Sequence, residues 1–179
     1  MVDIRVVQNQ AFLTLSIPLS WQLLSNGELD TSHDIETAVI VALSTDALAQ
    51  PDDVLPNPHS SDRRGWWGDV DADIIWGGWP IGSRLWLLRR SKITDFGSKE
   101  GATVIRVQDY IHEALMPFVQ KKILTNFDLN VYRSPYNRQE IVAEVNLYRG
   151  IDIINMKFSV FFNVTSPPVV NNGTYVIFL

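Results

Sequence analysis

The spacing of apolar residues changes along this 179-residue chain, and the change marks out its elements. From Ile35 onward, Ala38, Val39, Ala42 and Leu43 recur at helical spacing, with Ile40 and Val41 filling the other face. Ser32 stands at an N-cap position, and Asp34 and Glu36 put negative charge in the first turn, where the helix dipole favours it. The pattern predicts a helix over 33–49, buried on most sides. A short helix is expected over 83–90. A longer one is expected over 98–121, with Val104, Val107, Ile111, Ala114, Leu115 and Phe118 on one stripe. Pro117 lacks the amide that would bond the Glu113 carbonyl, so the last turns of that helix are expected to bend or loosen.

The period then falls from 3.6 to 2. Phe127, Leu129 and Val131 alternate with Asp128, Asn130 and Tyr132. Beyond a Ser134-Pro135-Tyr136-Asn137 turn, Ile141, Ala143, Val145 and Leu147 alternate with Val142, Glu144, Asn146 and Tyr148. This is the signature of an antiparallel hairpin over 127–148 with one buried face. Nearer the start, Ile4 and Val6, then Phe12, Leu13, Leu15 and Ile17, suggest a small hairpin around Asn9-Gln10. Ser25-Asn26-Gly27 reads as a turn, and 50–62, with three prolines, as a loop. Helices followed by strands, without βαβ alternation, give an α+β class: three helices packed on a mainly antiparallel sheet.

Residues 150–179 are different again. Asp152 and Lys157 are their only charges, and the runs Met156–Phe161 and Thr174–Phe178 alternate like strands on either side of Pro167-Pro168. Standing free in water, such a segment would pair with other chains. The reading is therefore an α+β domain over 1–149 and an apolar β-rich extension over 150–179, which adds to a sheet or covers a subunit boundary.

Composition narrows the functional classes. The net charge is −5, the opposite of what sequence-independent binding to nucleic-acid phosphates needs. The charge is uneven: residues 1–62 carry nine acidic and one basic side chain, residues 63–100 five and seven. Cysteine is absent, which removes disulfides, thiol catalysis and cysteine-ligated metals. Asp3 and Arg5 interrupt the first apolar positions, and no run approaches the length of a membrane span, so an unexported chain without membrane partners is expected.

Candidate catalytic patterns break at the residue their chemistry needs. Gly77-Gly78-Trp79-Pro80-Ile81-Gly82-Ser83 spaces glycines like a phosphate loop, but Ser83 replaces the charge-neutralising lysine. His112-Glu113 opens like a zinc-protease helix, yet Met116 holds the second histidine position. Asp69, Asp71 and Asp73 space carboxylates as in a calcium loop, but Ile74 and Pro80 stand where glycine and a bidentate glutamate belong. No serine lies in a nucleophile elbow, and the three histidines are isolated. No catalytic residue, cofactor or metal is expected.

The exceptional stretch is 62–90, where Trp66, Trp67, Trp76, Trp79 and Trp86 alternate with Arg63, Arg64, Arg84, Arg89 and Arg90. Three readings stay open: tryptophans wrapping a loop onto the core with arginines stacked on them, a protein–protein hot spot, or a platform for sugars or bases.

The run Asp62-Arg63-Arg64-Gly65-Trp66-Trp67-Gly68-Asp69, followed by Ile81-Gly82-Ser83-Arg84-Leu85-Trp86-Leu87-Leu88-Arg89 and Lys92, resembles the signature of the baseplate protein family of Mu-like contractile-tailed phages. The resemblance extends over about 30–149, through Ile35–Val39, Thr45-Asp46, Asp52-Asp53, Leu55-Pro56, Tyr110 and Glu113–Leu115. It implies a counterpart of the GPW-type wedge proteins, some of which are labelled "lysozyme-like". The implied subunit sits in a virion tail baseplate, is made in the host cytoplasm, and joins wedge proteins to the junction of tube and sheath to help start sheath assembly. Its implied partners are wedge proteins, tail sheath and hub or tube proteins, in several copies of a six-fold assembly. The alternatives are a peptidoglycan-degrading tail lysozyme and a sugar-binding adhesion module. The segment 72–78 and the extension after Gly150 look unusual for that family. The candidate interface residues are Arg63, Arg64, Trp66, Trp67, Arg84, Trp86, Phe158, Phe161, Tyr175 and Phe178.

Overall fold

The computed structural model describes residues 6–8, 19–75, 77–91, 93, 103–137, 139–162 and 173–179. Strands β1 (Val6–Gln8) and β2 (Leu19–Trp21) pair antiparallel. Residues 9–18, which carry the expected second arm of the N-terminal hairpin, lie outside the described residues. Then come α1 (Asp34–Ser44), a 3-10 turn (Trp67–Asp69), α2 (Ala72–Ile75), a 3-10 helix (Arg84–Leu88) and α3 (Thr103–Gln120). Strands β3 (Asn126–Arg133), β4 (Glu140–Arg149), β5 (Asp152–Phe161) and β6 (Thr174–Phe178) form one sheet in that order, antiparallel except for the parallel β5–β6 pair. The class is α+β.

Helix α1 buries Ile35, Val39, Ile40, Ala42 and Leu43 but leaves Val41 exposed. Two of its predicted limits move. His33, not Ser32, precedes the first turn, because Ser32 is engaged by Asp30: that buried carboxylate accepts the Ser32 N–H at 2.9 Å and its hydroxyl at 2.6 Å. The helix stops at Ser44, five residues before the predicted end, because a distant segment supplies partners for its last carbonyls. Ser83 donates its hydroxyl to the Leu43 carbonyl at 3.0 Å and its N–H to the Thr45 carbonyl at 2.9 Å, and the Ala47 N–H returns to the Ser83 carbonyl at 3.0 Å. This approach requires glycine at position 82. Gly82 has φ +125°, and a Cβ there would lie 2.8 Å from the Ala47 nitrogen.

The predicted helix over 83–90 is a 3-10 helix with four consecutive buried residues. Threefold geometry puts Leu85 and Leu88 on one face, in the main core, while Trp86 and Leu87 join Ala49 in a smaller cluster. In α3 all six stripe residues are buried, and the helix continues through Pro117 to Gln120. It closes with Lys122 at φ +59°, the Ile123 N–H on the Phe118 carbonyl and the Lys122 N–H on the Val119 carbonyl, both at 2.9 Å. That pair of bonds is a Schellman termination with lysine in the usual glycine position.

The predicted hairpin pairs Phe127 with Leu147, Leu129 with Val145 and Val131 with Ala143, and this face meets α3. The boundary drawn at Gly150 falls on a two-residue turn with Gly150 at φ +64°, after which β5 pairs with all ten residues of β4. Met156, Phe158 and Val160 join the same core. Phe161, at 1% exposure, is buried on the opposite face with Val142 and Val176.

Two outcomes follow. Truncation after Gly150 removes β5 and β6 and is expected to abolish the cooperative thermal transition, followed by circular dichroism. Gly82→Ala is expected to lower unfolding stability by about 1–3 kcal/mol from backbone strain alone, measured by urea titration.

Candidate functional site

The tryptophan–arginine segment folds around the loop that follows α1. Arg63 reaches back 12 to 13 residues and donates from its guanidinium to the Gln50 carbonyl at 2.7 Å and the Pro51 carbonyl at 2.6 Å. Its own carbonyl accepts the Ala49 N–H at 3.0 Å, so both ends of 50–63 are tied together. Arg64 and Gly65 take φ +54° and +100° and turn the chain. The Arg64 side chain pairs with Asp46 and lies 4.9 Å above the Trp86 ring. Trp86 is buried and donates its indole N–H to the Ala47 carbonyl at 2.8 Å.

Arg84 joins three elements. It donates to both oxygens of Asp53 at 2.9 Å and, through two nitrogens, to one oxygen of Glu113 on α3 at 2.9 and 2.6 Å. Its guanidinium also stacks 4.9 Å over Tyr110. Burial alone would lower the pKa of this group, but the bonds it donates to Glu113 and Asp53 outweigh it and hold the guanidinium charged, above its ordinary value. The polar groups of Arg63, Arg64, Arg84 and Trp86 are therefore engaged inside the subunit.

Trp67 points outward at 82% exposure, with Trp66 half-buried beside it at 5.5 Å between rings. Val70 and Ile74 follow, each 84% exposed. With Trp67 they are spaced i, i+3, i+7 along the 3-10 turn and α2, as residues on one side of a helix would be. The sequence patterns above do not single out Val70 or Ile74; their spacing from Trp67 is the signal that points to them. Trp79 turns inward, edge-on to Phe118 at 4.9 Å.

The C-terminal candidates lie elsewhere. Phe158 and Phe161 are each 1% exposed, and Tyr175 is half-buried against Phe158 at 5.4 Å, so these rings pack within the sheet layers rather than on a free surface. Within the chain, β4 runs alongside this apolar segment and pairs with β5 along its whole length. The Phe178 side chain lies outside the described residues.

Other polar groups among the described residues make contacts of their own. Ser32 and Asp30 both approach Nδ1 of His33, at 2.6 and 3.7 Å, whereas a charge-relay arrangement needs serine and aspartate on opposite ring nitrogens. Asp69 accepts the Ile81 N–H at 3.0 Å, and among the described residues no group of three metal-ligating side chains converges. A cavity of about 410 Å³ lies on the polar face of the sheet, bordered by Asp128, Asn130, Glu144 and Lys157. There Glu144 accepts bonds from Lys157 at 3.0 Å and Tyr132 at 2.9 Å. The Lys157 bond, then the Tyr132 bond, hold the Glu144 carboxyl below its ordinary pKa, and Glu144 in turn raises Lys157.

Arg84→Ala is expected to cost about 1.5–3 kcal/mol of stability in urea titrations, most of it from the Asp53 contact because Glu113 is half-exposed. Acid should act through Glu144. Its folded pKa lies below the unfolded one, so its contribution is complete above roughly pH 4.3 and is lost as pH falls through the folded value. Glu144→Gln should therefore shrink the stability difference between pH 7 and pH 3.

Three comparisons with known proteins bear on this site. The profile of the family described as "Phage protein GP46" matches residues 35–152, from the first turn of α1 to the start of β5. The "Baseplate protein gp46" of Escherichia phage Mu is 45% identical over 85 residues, 48% of this chain and 50% of that protein. The chain thus spans about half the length of the curated relative it matches. No solved structure matches it significantly. With the family profile covering well over half of its length, including the whole arginine-clamped segment, the chain belongs to the phage GP46 family.

Proposed function

We propose that the chain is a structural subunit of a phage contractile-tail baseplate, in the wedge, where it contacts other wedge proteins and the junction of tube and sheath. The observation that carries this reading is the ridge of Trp67, Val70 and Ile74. These three large apolar side chains are more than 80% exposed on a segment whose base is held by arginine contacts. Water-exposed tryptophan on a held scaffold is what an interface anchor requires, since little side-chain or loop entropy remains to be lost on binding. The resemblance to the Mu baseplate protein supplies the setting.

A second element of the proposal is the edge of β3. Its eight residues pair with β4 on one side, and among the described residues no strand pairs with the other. Such an edge can accept an extended segment by strand addition, the route by which we propose that the subunit helps start the sheath. Turnover chemistry does not enter. A lysozyme-like mechanism needs a carboxyl free to reach a glycosidic oxygen, whereas Asp53 and Glu113 are both held in contacts with the Arg84 guanidinium.

Trp67→Ala tests the reading. It should leave the melting temperature unchanged, because the ring is mostly in water, and weaken partner binding by about 2–4 kcal/mol, seen as loss of the subunit from purified tails. A lowered melting temperature with normal incorporation would show that Trp67 serves the fold, and the ridge would have to be dropped.

A further inference from the structure

A second docking feature shares no residue with the ridge and does not depend on it. Between the loop 55–64 and the end of the 3-10 helix is a cleft of about 240 Å³. Leu55, Pro56 and Trp86 give it apolar walls, and three arginines (Arg64, Arg89, Arg90), one carboxylate (Asp62) and the polar Asn57 and Ser60 line the rest. Its arginines are not equivalent. Arg64 is committed to Asp46, and the Asp62 carboxylate accepts the Arg64 backbone N–H at 2.8 Å. Arg89 and Arg90 are exposed, and among the described residues neither has an acidic partner. Two guanidiniums, each able to clamp a carboxylate with paired N–H donors, thus flank an apolar recess on a chain whose net charge is −5.

The size of the cleft decides what it can hold. At about 240 Å³ it is below the usual range of small-molecule and cofactor sites, roughly 300–1,000 Å³, yet it has room for one apolar side chain. A simple anion would use the arginines and leave the walls of Leu55, Pro56 and Trp86 without a role. A nucleic-acid backbone would likewise engage the arginines through its phosphates and leave those apolar walls without a role. We propose that this cleft binds an acidic peptide segment of another protein, with one large apolar side chain in the recess and flanking carboxylates on Arg89 and Arg90. The two guanidiniums without acidic partners among the described residues set the charge preference of the contact, and the recess sets its preference for an apolar side chain.

The test uses the full chain and a fluorescein-labelled Glu-Glu-Leu-Glu-Glu peptide, followed by anisotropy. Lys-Lys-Leu-Lys-Lys and Glu-Glu-Ser-Glu-Glu serve as controls, and the indole N–H signals are followed by NMR. The acidic leucine peptide should bind, the lysine peptide should not, and the serine peptide should bind at least about fivefold more weakly. The double variant R89E/R90E should lose at least about tenfold in affinity while keeping its thermal transition, both residues being exposed. The Trp86 indole signal should shift on binding, while Trp67→Ala should bind the peptide as the wild type does. Equal affinity for the serine peptide, or full displacement by millimolar phosphate, would reduce the cleft to an anion site. Binding insensitive to R89E/R90E, tighter binding of a single-stranded oligonucleotide than of the peptide, or a self-association of the chain that R89E/R90E dissolves would each overturn the proposal. No binding at millimolar peptide would do the same.

Discussion

The Arg84 guanidinium is the contact on which the arrangement of this molecule turns. It is one planar cation with a carboxylate on each side, one from the loop after α1 and one from α3, and it issues from the 3-10 helix between them. Three segments far apart in sequence are thereby held at fixed separation. A lysine could carry the charge but not the geometry, because the fork of N–H donors is what lets one side chain meet two carboxylates at once. The contact also engages both of its carboxylates, so Asp53 and Glu113 serve here to hold segments together.

Arg63 and Arg64 extend the same logic outward. With their help the loop 50–63 is closed on itself and pinned over Trp86, so the turn that follows leaves the surface from a defined place. The tryptophans divide accordingly. Trp86 and Trp79 stabilise the subunit, one with its indole N–H satisfied by a carbonyl and one edge-on to a phenyl ring, while Trp67 is left in water. The reading of tryptophans wrapped onto the core fits Trp79 and Trp86, while Trp67 stays in water.

The sheet makes a complementary point about residues 150–179. A nearly uncharged tail has to be covered, and here the covering begins two residues after β4 ends, through the turn at Gly150. The family match stops at residue 152, so most of β5 and all of β6 lie beyond it although they complete the same sheet. The limit of a recognisable motif is thus not the limit of a core. Residues inside the match, such as Ile141 and Val145, are buried partly by residues outside it, Val160 and Met156.

The amino-acid sequence by itself determined the class, the stripe of α3, the buried face of the β3–β4 hairpin and the turn at Gly27. Each follows from periodicity or glycine placement within a few residues, which is a local property. Where α1 ends was decided only in three dimensions, because Ser83, forty residues away, takes the carbonyl of Leu43. The same holds for the partners of Arg64 and Arg84: Asp46, Asp53 and Glu113 lie 18 to 31 positions away, and no spacing rule picks them from twenty acidic residues. The tail's need for cover was legible in its composition; that β4 supplies it was not, since strand pairing depends on which backbone comes alongside, and only the packed tertiary structure decides that.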